Sequence, residues 1–406
     1  MKRILVISDA LTAPLYGARI RFLCGYLARE GWCVRLCTEH VGALPFEHEY
    51  PIDEIKIYRH KGFLGRVEWF LKSILSLLFD YKNRRFAAHL MHLYANETFD
   101  VICCSAFHTF PLRAAQQFAT RRCIPLHIDM RDVAEQMSGH QYNEHQSGWL
   151  APFRGWFRQV NIRRRNAVLR CAQSVSSVSP WHVEFLRTLT ANVSLIYNGF
   201  DADLFAPEDV VSTRFTLIYA GKIYGEAMQN PHLLFEALRQ IVDERSVDLQ
   251  HFAVEWYTDT NGQQRMAALA QRYGVERVMR YHDYVDYRQV PALLHTASVV
   301  LVLSNRERAE GPHGVMTTKF FEALGVEKPV LCVRSDEACL AEVIRQTNAG
   351  LAATTTEEVE QFILEKYHEW QENGFTRQPV EQAEKARFSR QHQASQFEKI
   401  FLRCLQ

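Results

Sequence analysis

"GVMTTKFFEALGVEKPVL", residues 314–331, reads as a loop, a helix, a turn and a buried strand. Thr317 or Thr318 can cap the helix, since a short hydroxyl side chain accepts from a first-turn amide. Phe320, Phe321 and Leu324 then share one side, and Lys319 and Glu322 the other. A helix followed by an apolar strand is the repeating unit of a parallel sheet covered by helices. Lys319 breaks a local rule, because a cation in the first turn meets the positive end of the helix dipole. It becomes favourable when an anion binds the same free amides. One turn later, Glu322 can accept hydrogen bonds from a ribose diol. The pair fits a nucleoside diphosphate; the competing reading is a solvated Lys–Glu pair.

The alternation extends in both directions. Upstream lie "RFTLIYAGK" (214–222), a helix over 231–244, "HFAVEWYT" (251–258), a helix over 263–273, a strand over 277–281, a helix over 288–296 and "SVVLVLS" (298–304). The first half repeats the theme with "RILVIS" (3–8), a helix over 18–31 stopped by Gly31, "CVRLCTE" (33–39), "DVICCS" (100–105), a helix near 110–121, "PLHIDMRD" (125–132) and "AQSVSSVS" (172–179). The pattern restarts at "VSLIYNG" (193–199), and a polar amphipathic helix closes the chain over 380–405. At 406 residues the chain is too long for one ordinary core. The expected fold class is α/β, with two doubly wound parallel-sheet domains over 1–190 and 191–384. Ligands of such folds bind beyond the carboxyl ends of the strands and between domains.

The loops after strands therefore carry the candidate chemistry. Gly221 lets a ligand approach the backbone, and Lys222 can neutralise a diphosphate. Gly17 opens the first strand–helix connection, with Arg19 and Arg21 after it, but no dinucleotide GxGxxG fingerprint is present. His108, Arg131 and Asp132 each follow an apolar strand, which places them at the expected cleft.

The ten cysteines show neither a CxxC pair nor zinc spacing, which predicts buried, reduced thiols and no metal site. "MKRILVIS" enters a strand directly and no apolar run is long enough to cross a bilayer, so a cytoplasmic location is expected. The net charge of +1 conceals an asymmetry. Residues 1–200 hold 25 Lys+Arg against 16 Asp+Glu, and residues 201–406 hold 22 against 30. No acid occurs over 145–183, where arginines, Arg154 and Arg158 among them, alternate with Trp149, Phe153, Trp156 and Phe157. The stretch 62–85 is amphipathic at helical spacing and contains Trp69 and Lys72. Basic-aromatic segments of this kind lie on anionic membrane surfaces, and no nucleic-acid motif accompanies them. The expected membrane contacts are Trp69, Lys72, Arg154, Trp156 and Arg158.

Taken together, these segments resemble GT-B glycosyltransferases, in particular glycosyltransferase family 4 (group 1), over nearly the whole chain. "YGARIRFLCGYLAREGWCVRLCTE" is similar to that family's glycine loop, first helix and second strand. "IPLHIDMRDVAEQ" is similar to its hDxRD segment, and "CAQSVSSVSPWHVEFL…VSLIYNGFDADLF" to its aDxvixvS…vIpNGxDxxxF stretch. "YAGKIYG" and "TTKFFEALGVEKPVL" resemble its donor-binding segments, and the closing helix, 385–406, the one that packs back on the first domain. The resemblance implies two Rossmann-like domains facing a cleft, acceptor on the first and nucleotide sugar on the second. It implies retention of anomeric configuration and a metal-independent hexosyltransferase without a cofactor, using a UDP- or GDP-sugar. Lys222 would bind the diphosphate, Glu322 the ribose, and His108 would stand near the sugar. Gly221, Gly314, Thr318 and Lys319 would complete the donor side, and Gly17, Arg19, Arg131 and Asp132 the acceptor side. Many members carry an acid where this chain has Gly314; Glu310 could replace it only by another loop path. The implied activity builds cell-surface polysaccharide on a lipid-linked glycan at the inner membrane face. The alternatives are a degenerate GT-B protein that binds nucleotide sugar or a partner enzyme, and a sugar-nucleotide 2-epimerase.

Overall fold

The apolar runs of the first half become strands of one sheet: β1 (Arg3–Ser8), β2 (Cys33–Glu39), β3 (Ile52–Ile55), β4 (Val101–Ala106), β5 (Leu126–Met130), β6 (Ser174–Ser177) and β7 (Val193–Leu195). They stand in the order β3-β2-β1-β4-β5-β6-β7, every pairing parallel. Helices α1 (Pro14–Arg29), α2 (Gly62–Phe79), α3 (Tyr81–Leu93), α4 (Leu112–Arg122), α5 (Ala151–Cys171) and α6 (Pro180–Arg187) join them. β1 shows why the sequence chose a parallel sheet. Ile4 and Val6 enter one core and Leu5 and Ile7 the other, so both faces of the strand are buried under helices.

The second half repeats the plan with β8 (Phe215–Ala220), β9 (Phe252–Tyr257), β10 (Met279–His282), β11 (Val299–Leu303), β12 (Val330–Val333) and β13 (Gly350–Ala353). Their order is β10-β9-β8-β11-β12-β13, again all parallel. The helices are α7 (His232–Glu244), α8 (Thr260–Tyr273), α9 (Val290–Thr296), α10 (Thr318–Val326), α11 (Leu340–Thr347), α12 (Thr356–Asn373), α13 (Gln382–Ala386) and α14 (Arg390–Cys404). This computed structural model describes residues 2–11, 14–40, 42, 44, 46–60, 62–137, 151–226, 228–304, 313–333 and 339–406.

Two compact units result, one from Met1–Gln136, Tyr142–Tyr197 and Gln391–Gln406, the other mainly Asn198–Arg390. The boundary expected near 190 moves to 197, because β7 pairs with β6 and belongs to the first sheet. Residues 391–406 belong to the first unit, where Phe397 and Phe401 pack with Ile4, Val6 and Trp32. The single closing helix expected over 380–405 is two helices, α13 and α14. The amphipathic stretch 62–85 is also two helices. Asp80 breaks it with φ +55, its carboxylate holding Asn83 Nδ2 (2.9 Å) and Arg113 Nη1 (3.0 Å). All ten cysteines are free thiols.

The first unit is tied together by Arg19. Its Nε and Nη2 each donate to Asp129 at 2.9 Å, and Nη1 and Nη2 donate to the carbonyls of Tyr197 (2.8 Å) and Ile196 (3.0 Å). Ser105 and Ser176 hydroxyls donate to the same carboxylate, at 3.0 and 2.8 Å. The guanidinium carbon lies 4.9 Å from the Phe397 ring centroid. Arg19 therefore links α1, β5, the segment after β7 and α14. Its expected acceptor role is corrected: the side chain is buried and its donors are engaged. Burial alone would raise the pKa of Asp129, but the charge and hydrogen bonds of Arg19, with Ser176, hold it below its ordinary value.

Arg19→Ala strands a buried carboxylate and should cost about 3–5 kcal/mol in urea unfolding. Arg19→Lys should not restore the loss, because an ammonium cannot reproduce the fork. The stability contributed by the depressed Asp129 pKa is present above the unfolded-state value and lost as pH falls through the native one. The variants' deficit should therefore shrink in strong acid.

Candidate active site

In the second sheet the chain runs outward from β8 to β9 and β10, then returns to β11 on the other side of β8. The β8/β11 boundary is thus a topological switch point, where ligands of open α/β sheets bind. Gly221 and Lys222 follow β8 directly, and Gly221 has φ +137, open to glycine but strained for other residues. A side chain there would also have no room. A Cβ on Gly221 would fall 2.2 Å from Lys319 Cε and 2.7 Å from its Nζ. The lysine that opened the sequence argument thus lies across the glycine after β8, and two separate sequence signals become one site.

Lys319 is the second residue of α10 and half-buried, its Nζ 5.5 Å from the Tyr219 ring centroid. It makes no hydrogen bond or ion pair among the described residues. Burial pushes its pKa down, with Glu322 opposing. Burial pushes the Glu322 carboxyl up to about 7, against Lys319 and Arg390. Thr317 takes the N-cap backbone position, but its hydroxyl makes no cap bond. Thr318, half-buried, begins the helix. The start of α10 therefore combines uncapped amides with an underpaired cation, the chemistry of an anion site.

The facing loop is rigidly held. The Lys222 carbonyl accepts from Tyr219 Oη (2.9 Å) and Gln229 Nε2 (3.1 Å), and the Gly221 amide donates to the Tyr257 carbonyl at 2.8 Å. The Lys222 side chain is exposed, its Nζ 5.2 Å from the Tyr224 ring centroid. Gly314 is buried with φ +65, shortly before α10. Glu310 lies outside the described residues. Sequence reasoning missed Gln229 and Arg390, because neither sits in a pattern; only the fold brings Gln229 to the Lys222 carbonyl.

The first sheet has its own switch point, between β1 and β4. Asp9, just beyond β1, accepts from Arg131 and, at 3.3 Å, from the Phe107 amide. The Arg131 guanidinium carbon lies 4.0 Å from the Phe107 ring centroid. Arg131 is buried, so it braces this loop instead of facing an acceptor, a correction to the expected role. His108 beside it is exposed; partial desolvation lowers its pKa, Asp9 opposes, and Arg165, Arg131 and Arg158 reinforce the fall. Burial raises the Asp132 carboxyl to about 7 despite Arg131. Asp9 was missed because a lone acid after a strand has no distinguishing spacing. Gly17 does not lie in a loop as expected, since α1 already begins at Pro14.

The expected membrane contacts divide. Trp69 and Trp156 are exposed. Lys72 is turned inward to the Ile57 carbonyl (2.6 Å) and Glu68, and Arg158 to the Ala134 carbonyl (2.6 Å), so both are corrected. The Arg154 side chain lies outside the described residues. No cluster of metal-ligating side chains occurs among the described residues.

Residues 201–386 match the family Glycosyl transferases group 1, a span containing Gly221, Lys222, Lys319 and Glu322 but not Arg390. The fold is shared with sucrose-phosphate synthase from Thermosynechococcus elongatus, at a TM-score of 0.68 and 14% identity over 99% of each chain. The chain has the GT-B fold, and its second unit carries the glycosyl transferase group 1 match. The chain also shares its fold with Anabaena Alr3699/HepE in complex with UDP and glucose, at a TM-score of 0.63 and 16% identity over 98% of this chain and 99% of that one. The lipopolysaccharide outer core galactosyltransferase WaaB aligns at 0.58 and 11% identity over 99% of each chain. No curated protein sequence matches it.

Gly221→Ala should displace Lys319 and abolish stabilisation by nucleotide in a thermal-shift assay, while the purified variant stays folded. Glu322 adds a pH signature. Its native pKa, about 7, stands above the ordinary 4.5, so its stabilising contribution is complete below 4.5 and lost as pH rises through 7. At roughly 1.4 kcal/mol per pKa unit, the swing is on the order of 3 kcal/mol. Glu322→Gln should flatten this part of the stability–pH curve of the ligand-free enzyme.

Proposed function

We propose that this protein is a retaining glycosyltransferase of family 4. It would move a hexose from a UDP- or GDP-sugar to a lipid-linked glycan during cell-surface polysaccharide assembly. The observation that carries this reading is the desolvated Lys319 ammonium against Gly221, at the uncapped start of α10 and one turn from buried Glu322. A diphosphate supplies the anion that Lys319 lacks, with Lys222 as the second cation. A ribose diol donates hydrogen bonds to Glu322 and favours its ionised form.

In the reaction, the bond between the anomeric carbon and the β-phosphate oxygen breaks while the acceptor oxygen bonds that carbon on the same face. The acceptor proton passes to the leaving phosphate. Lys222, Lys319 and the α10 amides stabilise the growing phosphate charge, the role that preorganised donors perform most effectively. His108 and Asp132, titratable groups at the carboxyl edge of the first sheet, are assigned to the sugar and acceptor side. The enzyme would work as a peripheral protein on the cytoplasmic face of the inner membrane. Alr3699/HepE, described in complex with UDP and glucose, supports a nucleotide-sugar donor by analogy of fold.

The test is a donor screen with UDP-, GDP-, ADP- and dTDP-sugars, following thermal shift and slow nucleotide release. One donor should stabilise the protein and be slowly hydrolysed, and NMR should show the released sugar with its anomeric configuration retained. Lys222→Ala should lower kcat/KM by about 10²–10³-fold. Stabilisation without hydrolysis, even with membrane extract as acceptor, would identify a binding-only protein. An altered sugar that remains nucleotide-linked would identify an epimerase.

A further inference from the structure

Helix α2 is packed inside out. The side chains that hold it to its unit are polar. Glu68 accepts from the amides of Arg59 and His60, each at 2.9 Å, and pairs with Lys72, which reaches the Ile57 carbonyl. The Ser76 hydroxyl accepts from the Lys82 amide at 3.2 Å. Arg164 of α5 binds the helix end, donating to the carbonyls of Ser76 (2.9 Å) and Leu77 (2.7 Å). Six apolar residues point the other way. Phe63 is 78% exposed, and Leu64, Phe70, Leu71, Ile74 and Leu78 are exposed with it. Their spacing puts all six on one face. Leu77 alone on this helix is buried among the described residues. A helix bathed in water does the reverse, turning its apolar stripe to the core. An exposed apolar face of this extent marks an interaction site.

The surrounding charge selects the occupant. From Lys56 to Asn96 the sequence holds two acids, Glu68 and Asp80, and both are ion-paired and shielded. Lys56, Arg59, Arg66, Arg84 and Arg85 are exposed over the same span. A second copy docking face to face would bring these cations against their own counterparts, because a two-fold interface is self-complementary. An anionic bilayer answers both features: acyl chains for the apolar face and headgroups for the cations. No described helix is long and apolar enough to cross a membrane, so α2 would lie in the interface plane.

We propose that α2 is an in-plane anchor for anionic phospholipid, its outward face in the acyl boundary and the arginines of α2 and α3 on the headgroups. This rests on the reading of a membrane-side enzyme and names the lipid partner. Flotation of the full-length protein tests it, with vesicles of phosphatidylcholine alone or mixed with phosphatidylglycerol. The wild type should float with the mixed vesicles and weakly with phosphatidylcholine alone. Phe70→Ser/Leu71→Ser/Ile74→Ser, all at exposed positions, should lose at least about tenfold in binding while melting normally. Arg84→Glu/Arg85→Glu should lose about tenfold and bind with a weaker dependence on salt. Both variants should hydrolyse donor normally without vesicles. A wild type that ignores mixed vesicles, or a triple variant that binds them equally well, would overturn the proposal. So would a wild-type dimer that the triple variant converts to monomer, which would make a second copy the occupant. Vesicle binding without any donor hydrolysis would count against the enzymatic reading and leave the anchor standing.

Discussion

The Lys319 ammonium occupies the space that a side chain at Gly221 would need, and the candidate site is organised around that contact. It ties the first turn of α10 to the loop after β8, on the two sides of the switch point. It makes glycine obligatory at 221, where the backbone already requires it. It also places a cation where the helix dipole and partial burial both disfavour one. Glu322 compensates poorly, being itself buried and lifted to about 7. Neither side chain makes a hydrogen bond to another described residue, and a diphosphate and a ribose diol would supply partners for both.

The first unit supplies the contrast that gives this reading its force. Arg19 and Asp129 are both buried, yet each is amply bonded: a bidentate pair, two backbone carbonyls and two serine hydroxyls. A buried charge bonded on every nitrogen is a tie, and it positions helices and strands. A buried charge with bonds missing costs stability and persists where function requires it. Completeness of bonding therefore separates the two sites better than burial or residue type.

The fold was legible because parallel strands must be apolar on both faces, and runs such as "RILVIS" and "SVVLVLS" announce themselves. The donor-side cluster was legible in part. Lys319 stood out by violating a helix rule, and Lys222 by its place after a strand. What joins them, the missing Cβ at Gly221, is a fact of three dimensions. Arg19 misled because a basic residue near the first strand–helix connection looks like a ligand group, and only Asp129, 110 positions away, shows it to be a brace. Lys72 misled similarly: in an amphipathic helix it reads as outward, but here the polar side faces the protein. β7 misled because three residues of strand carry too little pattern to declare their sheet. The helix break at Asp80 depends on Asn83 and Arg113, and periodicity gives no sign of it.

The measurement that bears most directly on the central claim is the thermal stability of Lys319→Met, with and without UDP and GDP. The two side chains are similar in length, so the exchange removes the charge and little else. If Lys319 awaits a diphosphate, the empty variant melts at or above the wild-type temperature and no longer gains stability from nucleotide. A variant that melts well below the wild type, yet is stabilised by nucleotide as strongly, would show that Lys319 is a structural residue and the diphosphate binds elsewhere.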